Sequence, residues 1–474
     1  MQEELKSDTY YEYIVVGTGP GGGSVARGLA EAGKSVLMIE AGAWHERALG
    51  FPFGLRILKG LVLFSRSKEG VIVGRGITVG GSSMVYNANV FDPPDFLYKK
   101  MGIDFSQEVG ELKKEIDIYT MPDRFFEHAR GGTRVREVAY KMGINFKLQE
   151  KFINPEKCKV GCDWCMLGCP HNAKWTSREY VKKALIDGAS LLLSTSADRI
   201  VFNKTGKAIG VMLKNKKVVH GEKIIVAAGG VGTAEILLRS GMKDVGKSFF
   251  MDPMNVITGY ADDVKGGAWK EMTFSHATDD FEHSDGFIIG NVGAAYVYFC
   301  NYSRFNMLRK NFMKSLPLVR RGIGLFVKLA DNPNGEVFPD GSFSKPLDND
   351  DMKRMKKGTD ISKELLIKAG VKPSTIAVAQ SIGGHPGGTV AMGRLVDIHF
   401  QTEHENLYVC DASVIPVSPG APPSLTILAF SKLFTKMLLG KVKAEDRARL
   451  ARERKGTAEQ KKSPARSSKA PVAS

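Results

Sequence analysis

Residues 13–42 constrain this chain more than any other stretch. The apolar run Tyr13-Ile14-Val15-Val16 leads into Gly17-Thr18-Gly19-Pro20-Gly21-Gly22-Gly23. A helix-compatible segment follows from Ser24 to Ala32, then a second apolar run from Ser35 to Ile39 that closes on Glu40. This order predicts a strand, a tight turn, a helix and a second strand. Each glycine has its own task in such a unit: Gly17 permits the turn, Gly19 lets backbone approach a pyrophosphate, and Gly22 lets the helix pack close to the strand. The helix N-terminus offers unpaired N–H groups and the positive end of its dipole to phosphates, and Glu40 stands where a carboxylate accepts from ribose hydroxyls. A plain surface turn is the competing reading of the glycines, but it leaves the strand, helix, second strand and terminal acid unexplained. The expectation is a dinucleotide site.

The 474 residues suit two or three domains, and 43% hydrophobic with 25% charged residues is an ordinary globular balance. The polar start, Met1 to Lys6, is not followed by a basic-then-apolar leader, so the expected location is cytoplasmic. No apolar run approaches the roughly 18 to 20 residues of a membrane span. The net charge of +16 is uneven: from Lys441 onward eleven Lys/Arg face four Asp/Glu. Residues 441–474 are expected to be a disordered, solubilising extension, in preference to a surface for nucleic acid or anionic lipid.

Other segments set the organisation. Phe51 to Phe64 is apolar with a few basic residues, fitting either a buried lid or an interfacial patch. Gly74 to Ser83 is a second small-residue loop, against which a large planar ligand can lie. The expected fold is α/β, a discontinuous Rossmann-like nucleotide domain with an α+β substrate domain built on an antiparallel sheet. The nucleotide domain is assigned 1–93, 181–252 and 380–440, the substrate domain 253–379, and a helical excursion with a cysteine cluster 94–180. Met307 to Arg321 mixes basic and apolar residues, fitting either a peripheral contact on the inner face of a membrane or core packing with a solvated basic face.

Several of these motifs together resemble the glucose-methanol-choline family of FAD-dependent oxidoreductases. The resemblance rests on Gly17 to Glu40, Gly80-Gly81-Ser82-Ser83, Ile225 to Gly230 with Gly232 to Gly241, His385-Pro386-Gly387-Gly388-Thr389, and Leu407 to Ser413 with Pro416. It implies FAD, a two-domain fold, and oxidation of a small-molecule alcohol by hydride transfer to the flavin. By position, Gly17, Gly19, Gly22 and Glu40 would hold the ADP half, and Gly80, Gly81, Ser82 and Ser83 would line pyrophosphate and flavin. Ala228, Gly229, Asp411 and Ala412 would close on the rest of the cofactor. His385 matches the family's active-site histidine, and imidazole suits removal of a hydroxyl proton near neutral pH. Two departures stand out: Pro422 replaces the family's second polar residue, Asn or His, and Tyr86 stands where an asparagine is usual, with Asn87 beside it. The departure at Pro422 keeps open flavin chemistry at a carbon–carbon bond; the contrasting expectation is a non-catalytic electron-transfer flavoprotein.

Four of the six cysteines, Cys158, Cys162, Cys165 and Cys169, fall within twelve residues, in the order C-x3-C-x2-C-x3-C-P. The last part of that spacing is similar to a bacterial ferredoxin run, so an iron–sulfur cluster leads, with a four-thiolate zinc site and no metal at all as alternatives. A cluster would make the enzyme a dehydrogenase passing electrons to an acceptor protein or a quinone. Cys300 and Cys410 are expected to be packed thiols.

Overall fold

A computed structural model describes residues 10–45, 62–127, 130–162, 164–264, 270–293 and 321–454. The apolar run after Tyr10 is strand Tyr11–Val16, hydrogen-bonded in parallel to Val36–Ile39 on one side and Val218–Val226 on the other. Ser190–Leu192 extends one edge, and Leu407–Val409 runs parallel to Val218–Val226. Parallel strands covered on both faces need near-continuous apolar sequence. Ile14, Val15, Leu37, Met38, Ile224 and Ile225 supply it, and all are buried. An antiparallel pair, Ala197–Phe202 and Ala208–Leu213, completes this seven-stranded sheet.

The first helix runs Pro20–Glu31, four residues earlier than glycine propensity suggests. Tertiary packing overrides the propensity here. A Cβ on Gly21 would stand 2.1 Å from the Cys410 carbonyl oxygen, and one on Gly22 would stand 2.0 Å from that of Gly17. Only glycine at these two positions lets the helix seat on the strand ends. Helix Ser424–Leu438 packs along it, where Gly28 leaves room for Thr435.

The second sheet has eight strands and draws on distant parts of the chain. From one edge the order is Val62–Arg66, Ile72–Gly76, Ala377–Gly383, Pro253–Tyr260, Gly322–Leu329, Phe287–Val292, His276–Thr278 and Lys147–Leu148. All its pairings are antiparallel except Ile72–Gly76 with Ala377–Gly383. Helix Asn349–Lys368, capped by the Asp348 carboxylate accepting from Asp350 and Asp351 N–H, covers one face. Strand Gly322–Leu329 is buried along its whole length, including its one lysine, Lys328. No helix among the described residues is long and apolar enough to cross a membrane. The Met307 to Arg320 part of the basic apolar run, most of Phe51 to Phe64, and Cys300 lie outside the described residues.

The C-terminal segment departs from expectation. Residues Ala444–Glu453 form a helix, not the start of a disordered extension. Its charges have specific partners: Arg447 donates to the fully buried Glu108 at 2.8 Å, and Arg454 pairs with Asp104 at 2.8 Å while its guanidinium lies 3.8 Å from the centre of the Tyr98 ring. The sequence shows a surplus of basic residues but not the acids in 95–115 that await them. Glu108 is also held by Lys436 at 2.8 Å. Truncating Arg447 to Ala removes one of two cations from a carboxylate with no access to water. The expected loss is about 2–4 kcal/mol of unfolding free energy by denaturant titration, whereas the same change at exposed Arg449 should cost under about 0.5 kcal/mol.

Candidate active site

The glycine turn is built for a ligand that approaches backbone. Gly17 has φ +100° and a Cβ there would meet the Ala227 carbonyl oxygen at 2.3 Å, so this glycine serves the fold. Gly19 differs: its φ is −65°, and a Cβ would find nothing within 4 Å. What it keeps open is space in front of the helix N-terminus, where no side chain caps the first turn. That is the cradle a pyrophosphate needs. The second loop lies directly over it, since a Cβ on Gly81 would stand 2.8 Å from Gly19 Cα, and Gly80 N–H donates to Thr18 Oγ1 at 3.2 Å. Ser83 donates to the Gly80 carbonyl and accepts from Ser177 N–H; Ser82 Oγ accepts from Gly76 N–H. Ser177 in turn donates to the Gly19 carbonyl at 2.9 Å. The loops are thus fixed before any ligand arrives.

Two acids have more internal work than expected. Glu40 accepts from Thr18 N–H and Thr18 Oγ1 through Oε2 and from Gly42 N–H through Oε1, which leaves about one of its acceptor sites for a ribose hydroxyl. Asp411 accepts from Gly229 N–H at 2.7 Å, Thr233 Oγ1 at 2.6 Å and Ser413 N–H at 2.7 Å. Burial pushes both carboxyls up against those hydrogen bonds. Asp411 therefore positions the Ala228–Gly229 turn, and Ala412 joins it to the histidine loop, because its carbonyl accepts from Gly388 N–H at 3.3 Å. Tyr86 donates to the Trp175 carbonyl, and its ring lies 5.0 Å from Lys174 Nζ; the Asn87 carbonyl accepts from Lys151. The Tyr86 side chain is thus committed to packing, and Asn87 is engaged through its backbone carbonyl.

His385 sits on the loop after strand Ala377–Gly383, clamped from two sides. A Cβ on Gly230 would stand 2.2 Å from the Pro386 carbonyl oxygen, and His385 N–H donates to the Met251 carbonyl at 3.2 Å. Its Nδ1 lies 2.5 Å from Lys328 Nζ and 3.1 Å from Asp252 Oδ2. A quarter of its side chain (26%) is exposed, although Asp252 beneath it is fully buried. Burial and the neighbouring Lys328 ammonium lower the His385 pKa to about 4, against the pull of Asp252. Burial works to raise the Asp252 carboxyl, but Lys328, His385 and Ser418 outweigh it and hold it below the usual range. Ser418 donates to Asp252 Oδ1 from the loop that carries Pro422. Sequence reasoning missed Lys328, Asp252 and Ser418. The available signal was a lone lysine inside the apolar run Gly322 to Leu329, which demands a buried partner.

The four clustered cysteines are all free thiols, partly buried on turns with positive φ at Gly161, Gly168 and Cys169. Burial, with the neighbouring Cys165, Cys162 and Cys169, pushes the Cys158 thiol up to about 12. Among the described residues no three of these sulfurs fall within 4.8 Å of one another. The segment is tied to the stretch that follows the Gly80 to Ser83 loop by Lys174, whose buried Nζ donates to the carbonyls of Cys165 at 2.7 Å, Met84 at 2.8 Å and Tyr86 at 3.1 Å.

Two family models of GMC oxidoreductases match residues 12–254 and 326–431. The chain belongs to the GMC oxidoreductases. Enzymes of this family bind FAD and oxidise alcohols and related substrates. The chain is 24% identical to an uncharacterized protein of Methanocaldococcus jannaschii, over 90% of this chain and 100% of that protein. It is 26% identical to an uncharacterized GMC-type oxidoreductase of Mycobacterium tuberculosis, over 61% of this chain, and spans about half (49%) of that relative's length. It is 22% identical to a long-chain-alcohol oxidase of Arabidopsis thaliana, over 88% of this chain and 66% of that one. Pyridoxine 4-oxidase from Mesorbium loti superposes with a TM-score of 0.69 at 14% identity, covering 91% of this chain and 100% of that chain. A formate oxidase does so at 0.67 and 15%, covering 92% and 99%. The fold expected from the sequence, a Rossmann-like FAD domain joined to an α+β domain, is the fold of this GMC oxidoreductase.

The two glycines should separate on substitution. Gly19→Val leaves the melting temperature of the cofactor-free protein near that of the parent but lowers FAD affinity at least about tenfold by fluorescence titration. Gly17→Val loses both, because its Cβ collides with backbone.

Proposed function

We propose that this GMC oxidoreductase dehydrogenates a hydroxyl-bearing organic substrate, with His385 as the base that takes the hydroxyl proton. The observation that carries the reading is the placement of His385: its ring is fastened through Nδ1 to buried charges, part of its side chain is open, and its loop is keyed to the Gly229 turn and Ala412. Bound FAD would be held at Gly19, on the turn that Gly17 and Gly22 shape, and by the Gly80 to Ser83 loop and the Ala228–Gly229 turn, and would supply the two-electron acceptor for the substrate's hydride. The chain's own residues do the rest. They fix the imidazole, exclude water from beneath it, and give its proton a route. The long-chain-alcohol oxidase relatives favour an extended aliphatic alcohol, and the structural likeness to pyridoxine 4-oxidase supports the fold alone.

Cys158, Cys162, Cys165 and Cys169 would hold an iron–sulfur cluster: their C-x3-C-x2-C-x3-C-P order suits one, the four thiols lie near enough together to raise that of Cys158, and the cationic Lys174 behind Cys165 suits a negatively charged group. Such a centre would supply one-electron exit to an acceptor protein or a quinone. It would make the enzyme a dehydrogenase.

Anaerobic mixing with 1-dodecanol, pyridoxine or benzyl alcohol should bleach the flavin absorbance of the holoenzyme with at least one of them. His385→Ala should slow that bleaching about 100-fold or more with FAD content unchanged; undiminished bleaching removes His385 as the base. Iron and acid-labile sulfide should accompany protein purified without oxygen and vanish in a variant with Cys162 and Cys165 replaced by Ser. Protein that contains flavin but no iron sinks the electron-exit reading.

A further inference from the structure

Two groups compete for one ring nitrogen of His385, and the outcome decides whether that residue can act as the base proposed above. Lys328 Nζ is 2.5 Å from Nδ1, Asp252 Oδ2 is 3.1 Å from it, and the two charges are 3.0 Å from each other. An ammonium has donors and no lone pair. If Lys328 is charged, its contact with Nδ1 uses the ring's lone pair there, so the ring proton sits on Nε2 and no base faces a substrate hydroxyl. If Nδ1 carries the proton, Nε2 is free to accept, and the short contact requires a neutral amine at Lys328. These two inventories differ by one proton. They match the two ends of an alcohol oxidation: a lone pair on Nε2 receives the hydroxyl before it, and an N–H on Nε2 donates to the carbonyl oxygen after it.

We propose that Lys328 is the terminal proton acceptor of the site, reached through His385 and held by Asp252. The alcohol O–H bond breaks and an N–H bond forms at Nε2; the Nδ1–H bond breaks and an N–H bond forms at Lys328 Nζ. Bound FAD would take the hydride and its electron pair from the carbinol carbon, which balances the two-electron oxidation of the alcohol. Asp252 remains a carboxylate, fixed by Ser418 through its other oxygen. The ammonium at Lys328 would offset the negative charge that a hydride brings to bound FAD. The site therefore ends the step no more charged overall than it began.

Burial supports this assignment. Lys328 is 5% exposed and Asp252 not at all, and burial lowers the Lys328 pKa against the opposing pull of Asp252 and, further off, Asp331. Asp331 is committed elsewhere: it pairs with the fully buried Lys345 at 3.0 Å and accepts from Asp252 N–H at 2.9 Å. With Lys328 charged beside it, His385 is lowered to about 4 and is too weak a base to keep a hydroxyl proton, so the site needs Lys328 neutral at the start of the step. A stronger acceptor behind it relieves that weakness. The relay also gives the site a second polar group where Pro422 supplies none, from a strand of the other sheet and not from the family position.

Lys328 acts through His385, so its test needs readouts that a structural role would not move. The holoenzyme and its Lys328→Met, Lys328→Arg and His385→Ala variants are compared by anaerobic stopped-flow flavin reduction with 1-dodecanol across neutral and alkaline pH. The wild-type rate should rise with pH as Lys328 sheds its proton. Both Lys328 variants should lose that limb and about 100-fold in rate, because a guanidinium keeps the charge but cannot take up a further proton. A Lys328→Arg enzyme with the parental rate and pH limb overturns the relay. If His385→Ala also reduces flavin normally, the base reading falls with it; if His385→Ala is inactive, only the relay falls. A substrate-free readout covers variants that do not fold or an alcohol that does not react. Nitrogen-15 histidine spectra of the FAD-loaded wild type at alkaline pH, with His385 assigned by its absence in His385→Gln, should show the Nδ1–H tautomer. An Nε2–H tautomer at every pH overturns the proposal.

Discussion

One buried carboxylate holds the two halves of the catalytic region in register. Asp411 accepts from the first turn of helix Gly229–Arg239, from that helix's Thr233 and from its own Ser413. The residues on either side of it complete the junction: the Cys410 carbonyl faces Gly21 at the distance a Cβ would occupy, and Ala412 and Ser413 carbonyls accept from Gly388 and Val390. The nucleotide helix, the second glycine turn and the histidine loop therefore meet within four residues. A buried carboxylate stripped of these donors would cost several kcal/mol. The position has little freedom to serve a ligand instead.

The same economy governs the charges under the histidine. Asp252, Lys328, Asp331 and Lys345 form two adjoining pairs that are almost wholly buried. Such pairs contribute little net stability, because desolvation offsets the attraction. Their value lies in fixing proton positions. A low-dielectric setting makes every nearby protonation state strongly dependent on its neighbours, which suits a region where a proton must move and then stay.

The first sheet was legible because apolar runs and glycine spacing are local signals. Gly17 to Glu40 states its own geometry, and Glu222 to Gly230 reads as a strand from its apolar run, although the strand in fact begins at Val218 and ends at Val226. The early start of the first helix at Pro20 was not, since glycines read as loop until the carbonyls that crowd them are known. Helix Ala444–Glu453 was hidden for a related reason: basic residues look solvated until Glu108, Asp104 and Asp95 are brought beside them from over 300 residues away. At the site, His385 declared itself through its Gly-Gly-His-Pro-Gly-Gly setting. Its partners did not. Asp252, Lys328 and Ser418 lie 133, 57 and 33 residues from it; strand Pro253–Tyr260 brings Asp252 and Lys328 to it by pairing with both Gly322–Leu329 and Ala377–Gly383, and Ser418 arrives on a separate loop.

The hairpin Val62–Arg66 and Ile72–Gly76 belongs to the second sheet, yet its outgoing chain becomes the loop that rests on Gly19. No slack separates the two roles: Gly76 N–H already bonds Ser82, and Thr78 pairs with Ala43 beside the first sheet. The consequence is kinematic. The two sheets are fastened both here and where Gly388 and Val390 meet Ala412 and Ser413, so the Gly80 to Ser83 loop cannot shift against the first helix without dragging the edge hairpin of the second sheet.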